Sequence, residues 1–230
     1  MAITFTKQIG NKAQIAVWEI TESEQQLIEL LTGEGDEWKE EIEEISLSSS
    51  PAHRVERLAV IALVQSLFDE PVHIGHHENG SPYIENNSTH ISISHTKGLA
   101  AVIIAPEQEV GIDVESIERD FSAVQKKALG SREIEELSDD GQQRNTQLAL
   151  YWCAKEAIYK RMGVSGVDFS KDIHIERFSV KEEGEIDAVF TYPIEDEDIA
   201  EEGRQPERTE KELTLQYEFL NNYILVWTVE

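Results

Sequence analysis

A long helical stretch followed by short strands occurs twice in this chain, and that repeat restricts the available folds more than any other feature. Ser50-Pro51 marks the first helix start. A serine hydroxyl can accept from the free amides of a first turn, and proline fits there because its missing N–H is not needed. From Pro51 to about Phe68, Val55, Leu58, Ala62 and Leu67 recur at roughly helical spacing, until Pro71 breaks the pattern. Runs with β character follow around Tyr83 and at His90–Ser94, Leu99–Ala105 and Val110–Glu115, separated by Gly80, Gly98 and Pro106. The second block predicts helices over Phe121–Leu129, Ser131–Leu137 and Asn145–Met162, the last ended by Gly163 and Gly166. Strands are then expected at Ile173–Val180 and Ala188–Thr191, with a closing hairpin of Leu213–Phe219 and Tyr223–Val229 around Asn221-Asn222. Ahead of the first block, Ala13–Ile20 reads as a strand, and Glu22–Leu31 and Asp36–Leu47 as short helices with acidic faces. Helices followed by antiparallel strands, twice over, predict an α+β fold of two similar halves, residues 1–115 and 116–230.

Composition narrows what such a fold can do. The 230 residues suit one large domain or two small ones, and 40% hydrophobic content suffices for a core. Twenty basic against 46 acidic residues leave a net charge of −26, which argues against non-specific binding to nucleic acid or to anionic membranes. A local pocket can still oppose that field and hold a small anion. No apolar run reaches the length of a membrane span, and the start, MAITFTKQIG, lacks the long apolar stretch of a secretory signal. The single cysteine, Cys153, excludes an internal disulfide and a multi-cysteine zinc site. The expectation is a cytoplasmic protein. From Lys181 to Glu212 thirteen acids face four basic residues, with Glu195 to Asp198 consecutive, and this segment is expected to be a solvated loop or hairpin linker.

Three segments carry side chains suited to chemistry. In Val110-Gly-Ile-Asp-Val-Glu115, strand geometry points Asp113 and Glu115 to one face and Ile112 and Val114 to the other. Two carboxylates on a rigid face make half a site for a hard divalent cation such as magnesium. Taken alone, the pattern equally describes an amphipathic strand facing solvent. In Tyr151-Trp-Cys-Ala-Lys-Glu-Ala-Ile-Tyr-Lys160, Glu156 and Lys160 share a helix face, as an ordinary ion pair does, while Lys155 lies among apolar residues. A carboxylate with two lysines can supply a further metal ligand or base and offset phosphate charge. In Ile91-Ser-Ile-Ser-His95, followed by Thr96-Lys97-Gly98, Ser92 and Ser94 face together, and a histidine and a lysine at the turn can grip a phosphate; a capped turn after a half-buried strand is the alternative.

In this order and spacing, S-x-S-H, G-I-D-V-E and W-x-x-K-E-A-x-x-K resemble the 4′-phosphopantetheinyl transferases. The better match is the long, single-chain type related to the surfactin-synthetase activator, in which one chain looks like two fused copies of the short type. The resemblance spans about Pro51 to Val180. It implies transfer of the phosphopantetheine arm of coenzyme A to a serine of an apo acyl or peptidyl carrier protein, releasing adenosine 3′,5′-bisphosphate, as in the holo-acyl-carrier-protein synthases. A non-catalytic coenzyme A or carrier-protein binding module of the same fold is the alternative. The resemblance further implies that Asp113, Glu115 and Glu156 hold Mg2+ against the diphosphate, and that Glu156, or a water it holds, takes the serine proton. Lys155 and Lys160 would offset phosphate charge. Ser94, His95, Lys97 and Arg54 would contact coenzyme A, with Arg57 beside Arg54 and Glu133 near the site. Where the family often has G-K-P, this chain has Gly80-Ser81-Pro82, so one lysine charge is missing and Lys97 is the expected substitute.

Some expectations concern other surfaces. Coenzyme A is expected in a cleft between the halves of a monomer. An apolar stripe of Phe121, Val124 and Ala128 beside Lys126 and Lys127 is a candidate carrier-docking face. The histidines His73, His76 and His77 are expected at the surface rather than on zinc, Cys153 as an apolar helix residue, and Trp18, Trp38 and Trp227 as core or partly buried anchors.

Overall fold

Every residue of Leu99–Ala105 except Ile104 is buried, so this strand has no polar face to offer solvent and must be covered on both sides. The structure, a computed structural model, describes residues 3–33, 35–193 and 208–230 and supplies both covers. Ala100 and Val102 pack against the helix Pro51–Gln65, in one core with Leu58, Ala59 and Leu63. Leu99, Ala101, Ile103 and Ala105 turn the other way, into a second core shared with Val110, Ile112, Val114, Leu225 and Trp227. That second core holds the halves together.

The elements run β1 (Ile3–Ile9), β2 (Ala13–Glu19), α1 (Glu24–Thr32), α2 (Lys39–Ser46), α3 (Pro51–Gln65), β3 (Ile74–His76), β4 (Pro82–Ile84), β5 (His90–Thr96) and β6 (Leu99–Ala105). They continue with β7 (Val110–Ser116), α4 (Val124–Ala128), α5 (Ser131–Glu135), α6 (Gly141–Met162), α7 (Phe169–Asp172), β8 (Ile173–Ile175), β9 (Glu183–Pro193), β10 (Arg208–Leu220) and β11 (Tyr223–Val229). One sheet has the order β1-β2-β6-β5, another β7-β11-β10-β9-β8, and β3 and β4 form a separate ribbon. Each large sheet repeats one plan: a strand, then helices, then a hairpin whose last strand returns antiparallel beside the first, β6 on β2 and β11 on β7. The fold is the expected α+β arrangement of two similar halves in pseudo-two-fold order. Its division differs from the expected one at 115/116. Because β7 is hydrogen-bonded to β11 from Val110 to Ser116, it belongs to the second sheet, and the halves divide at residues 106–109.

Local chemistry explains the helix ends. Ser50 accepts from the His53 amide at the start of α3, and Asp140 accepts from Gln143 at the start of α6. Gly163 ends α6 at φ 62, a left-handed conformation that costs glycine little. Two strand expectations need correction. The edge strand β1 belongs to the first sheet although its pattern was not read as one, and the strand expected to run on to Val180 stops at Ile175. The acidic segment is a hairpin as far as it is described: β9 and β10 pair from Glu183–Glu218 to Pro193–Arg208, with Ile186, Ala188 and Phe190 facing the core between exposed acids. The consecutive acids Glu195 to Asp198 lie outside the described residues. Trp18, Trp38 and Trp227 are all buried, as expected.

Candidate active site

The two motif strands meet along a seam. β5 and β7 are edge strands of different sheets, which leaves β7 amides without a ladder partner. Ser92 Oγ accepts from the Ile112 amide at 3.1 Å, and Ser94 Oγ accepts from the Val114 amide at 3.2 Å. The S-x-S spacing is thus a strand period that sets two hydroxyls against two amides one period apart. On the other face of β7, α6 approaches so closely that a Cβ on Gly111 would lie 1.9 Å from the Ala157 carbonyl oxygen. Glycine at this position lets α6 lie against the strand, and the strand period turns Asp113 and Glu115 towards the same helix.

The carboxylates gather there without being gathered round one point. Asp113 is buried; its Oδ1 accepts from Ser94 Oγ and from Lys160 Nζ, both at 2.7 Å, while its Oδ2 is buried with no hydrogen-bond partner among the described residues. Lys160 Nζ also donates to the Ile112 carbonyl at 3.1 Å. Glu115 pairs with Arg119 and accepts from Thr96. Burial first, and then the charge of Asp113, push Glu156 up to about 7, with Lys160 opposing. Glu115 is raised for the same two reasons, with Arg119 opposing. The site therefore holds more negative charge than its lysine and arginine cancel. A divalent cation fits that chemistry. As the side chains stand, however, no three His, Cys, Asp or Glu groups among the described residues form a ready metal cluster. The expected convergence of Asp113, Glu115 and Glu156 on one ion is not seen, because Lys160 and Arg119 hold two of the carboxylates.

A cavity of about 450 Å³ opens beside this cluster. The first half supplies most of its wall, including Arg57 from α3, His73, Gly80-Ser81-Pro82 and His95, and the second half adds Tyr159, Lys160 and Gly163. Lys160 is the link, lining the cavity and holding Asp113 at once. His95 keeps 40% of its side chain open to solvent, yet the surrounding walls pull its pKa below the ordinary value, against the charge of Glu56, whose Oε2 lies 3.5 Å from Nδ1.

Several expected contacts are placed elsewhere. Lys155, expected on phosphate, is fully buried. Its ammonium donates to the carbonyls of Ala128, Phe169 and Ile173 and to Glu133, at 2.7–2.9 Å. Glu133 in turn accepts from the Gly130 and Ile175 amides, so the pair ties α4, α5, α6, α7 and β8 together. Ser94 Oγ donates to Asp113 and accepts from the Val114 amide. Arg54 grips both oxygens of Glu24 on α1 at 2.8 Å and does not line the cavity, whereas Arg57 does. Lys97 sits exposed at the β5–β6 turn, outside the cavity wall, so it does not replace the missing lysine there. Phe121, Val124 and Ala128 are buried in the second-half core, which removes the apolar carrier stripe, while Lys126 and Lys127 stay at the surface. Two participants were not read from the sequence. Arg119 falls four residues after Glu115, a spacing with meaning on a helix but none on a strand, and Glu56 on α3 reaches His95 on β5 within the first half, a contact between elements some forty residues apart in sequence.

Comparisons with known proteins agree with the geometry. No curated protein matches the chain. Residues 109–214 match the model of the 4′-phosphopantetheinyl transferase superfamily. The match begins at the division between the halves and takes in β7 and all of α6 with their carboxylates. The family transfers phosphopantetheine from coenzyme A to carrier proteins. With the seam, the β7–α6 carboxylates and this match in agreement, the chain carries a domain of the 4′-phosphopantetheinyl transferase superfamily.

Proposed function

We propose that this protein transfers the 4′-phosphopantetheine arm of coenzyme A to a serine of an apo acyl or peptidyl carrier protein and releases adenosine 3′,5′-bisphosphate. The observation that carries the reading is the position of Lys160, which lines the cavity and ion-pairs with Asp113 at 2.7 Å. An anion in the cavity and the β7–α6 carboxylates therefore share one lysine, as a diphosphate and its metal ligands must.

Asp113, Glu115 and Glu156 are the residues that would hold magnesium. When bound, the ion polarises the attacked phosphorus and offsets charge on the leaving group. Asp113 offers its unpartnered oxygen, and Lys160 is free to turn from Oδ1 to phosphate once that charge is otherwise met. Glu156, or a water it holds, would accept the proton of the carrier serine. His95, Arg57 and Lys160 present donors to phosphate oxygens from the cavity wall. Mixing the protein with coenzyme A, an apo-carrier and Mg2+ should release adenosine 3′,5′-bisphosphate in step with carrier modification, and a metal chelator should stop both. Coenzyme A that binds but is never consumed, with several apo-carriers, would leave the binding-module alternative in its place.

A further inference from the structure

Two groups able to hold an anion in the cavity are already occupied. Arg57 Nη2 donates to Glu44 Oε1 at 3.0 Å, and His73 Nδ1 lies against Glu41. Both carboxylates come from α2, three residues apart on one face, and both line the cavity. The cavity wall also carries Ser81, which adds no charge, and Lys160, which is itself paired with Asp113.

We infer that Glu41 and Glu44 are affinity-determining residues: built-in counter-ions that a phosphate-bearing ligand must displace from His73 and Arg57. The inference rests on the cavity being the coenzyme A site. Carboxylate and phosphate compete for the same donors of Arg57, and only one can use them fully. Glu44 is 68% exposed, so its pair opens at little cost and lowers affinity without closing the site. Each carboxylate left beside a bound phosphate also repels it, by about five-fold in affinity at ordinary salt. A lone monoanion gains too little to displace them. A ligand with several phosphates reaches Lys160 as well, and so has more contacts to set against the displacement of the α2 carboxylates.

The test is calorimetric titration of the full chain with coenzyme A, comparing wild type, E44Q, E41Q/E44Q, R57Q and E41Q/E44Q/R57Q. Removing both α2 carboxylates should tighten binding about ten-fold or more at low salt, E44Q alone should give part of that gain, and R57Q should weaken binding. The gain should shrink in the triple variant, because Arg57 is no longer there to be released. It should shrink as well with added salt. Glutamine keeps the shape of these surface side chains, and an unchanged melting temperature checks that each variant is folded. Wild type that binds coenzyme A while E41Q/E44Q binds equally or more weakly overturns this inference alone. No binding by any of the proteins overturns it together with the coenzyme A reading.

Discussion

Glu156 carries the clearest pH signature in the molecule. Its pKa rises from 4.5 to about 7 on folding, so between those values the folded chain binds more protons than the unfolded one. Stability from this group is therefore lost as pH rises through that window, and the loss is complete above it. The metal-free protein should show a falling melting temperature from about pH 4.5 to pH 7, and Glu156→Gln should flatten that fall and melt higher at pH 8. Added Mg2+ at pH 8 should raise the wild-type melting temperature more than that of Glu156→Gln. Equal slopes in the two proteins would mean that burial and the neighbouring carboxylates do not raise Glu156. Lys155, its neighbour in sequence, should behave oppositely in kind. Lys155→Met leaves Glu133 buried without its cation and should cost about 3–5 kcal/mol in urea denaturation. A loss under about 1 kcal/mol would show that the pair is not a structural tie. The sequence made Lys155 conspicuous, because a lysine among apolar residues needs a partner. It did not show that the partners are three carbonyls and Glu133, since those come from four other segments. Arg54 and Arg57 look equivalent in sequence for a similar reason. Glu24 on α1 takes one and leaves the other for the cavity.

At the scale of elements, the seam between β5 and β7 and the contact between β7 and α6 position the site. Gly111→Ala would drive a methyl into the Ala157 carbonyl, with no flexible side chain to give way. It should cost about 1–3 kcal/mol of stability. It should also lower the transfer rate, because α6 carries Glu156 and Lys160 and would be pushed off β7. Chemical denaturation and single-turnover kinetics measure the two effects, and a stable, fully active variant would show that the close approach is not needed. The motif G-I-D-V-E was legible as two carboxylates on one strand face. The meaning of its glycine was not, because a close approach involves a helix some forty residues away. Likewise S-x-S read as two hydroxyls facing together, but their partners are amides of an edge strand in the other sheet. Amphipathicity misled at Phe121, Val124 and Ala128. An apolar stripe on a short helix marks a buried face as readily as a docking face, and here the core takes it.

Across the whole molecule, two sheets back to back share a core, and the cavity opens where first-half walls meet the C-terminal end of α6. The twofold repeat of helices and hairpins was visible in the periodicity of the chain, and so was the α+β class. The division between halves was not, because β7 follows the first block directly in sequence yet pairs with the last strand of the chain. The net charge of −26 sets a further condition on the account, since an acidic carrier approaches against the field and must find a local positive patch. Lys126 and Lys127 remain exposed for that, without the apolar contacts expected beside them.

The central claim is that the β7–α6 carboxylates and the adjoining cavity form one site for phosphopantetheine transfer. The most direct measurement is the intact mass of an apo-carrier after incubation with coenzyme A, Mg2+ and either the wild-type protein or Asp113→Ala. The account predicts that wild type adds one phosphopantetheine to the carrier serine. Asp113→Ala, with a melting curve that shows it folded at the assay temperature, should add none in the same time. A wild-type protein that modifies none of several apo-carriers, or an Asp113→Ala protein that modifies them as fast, would contradict it.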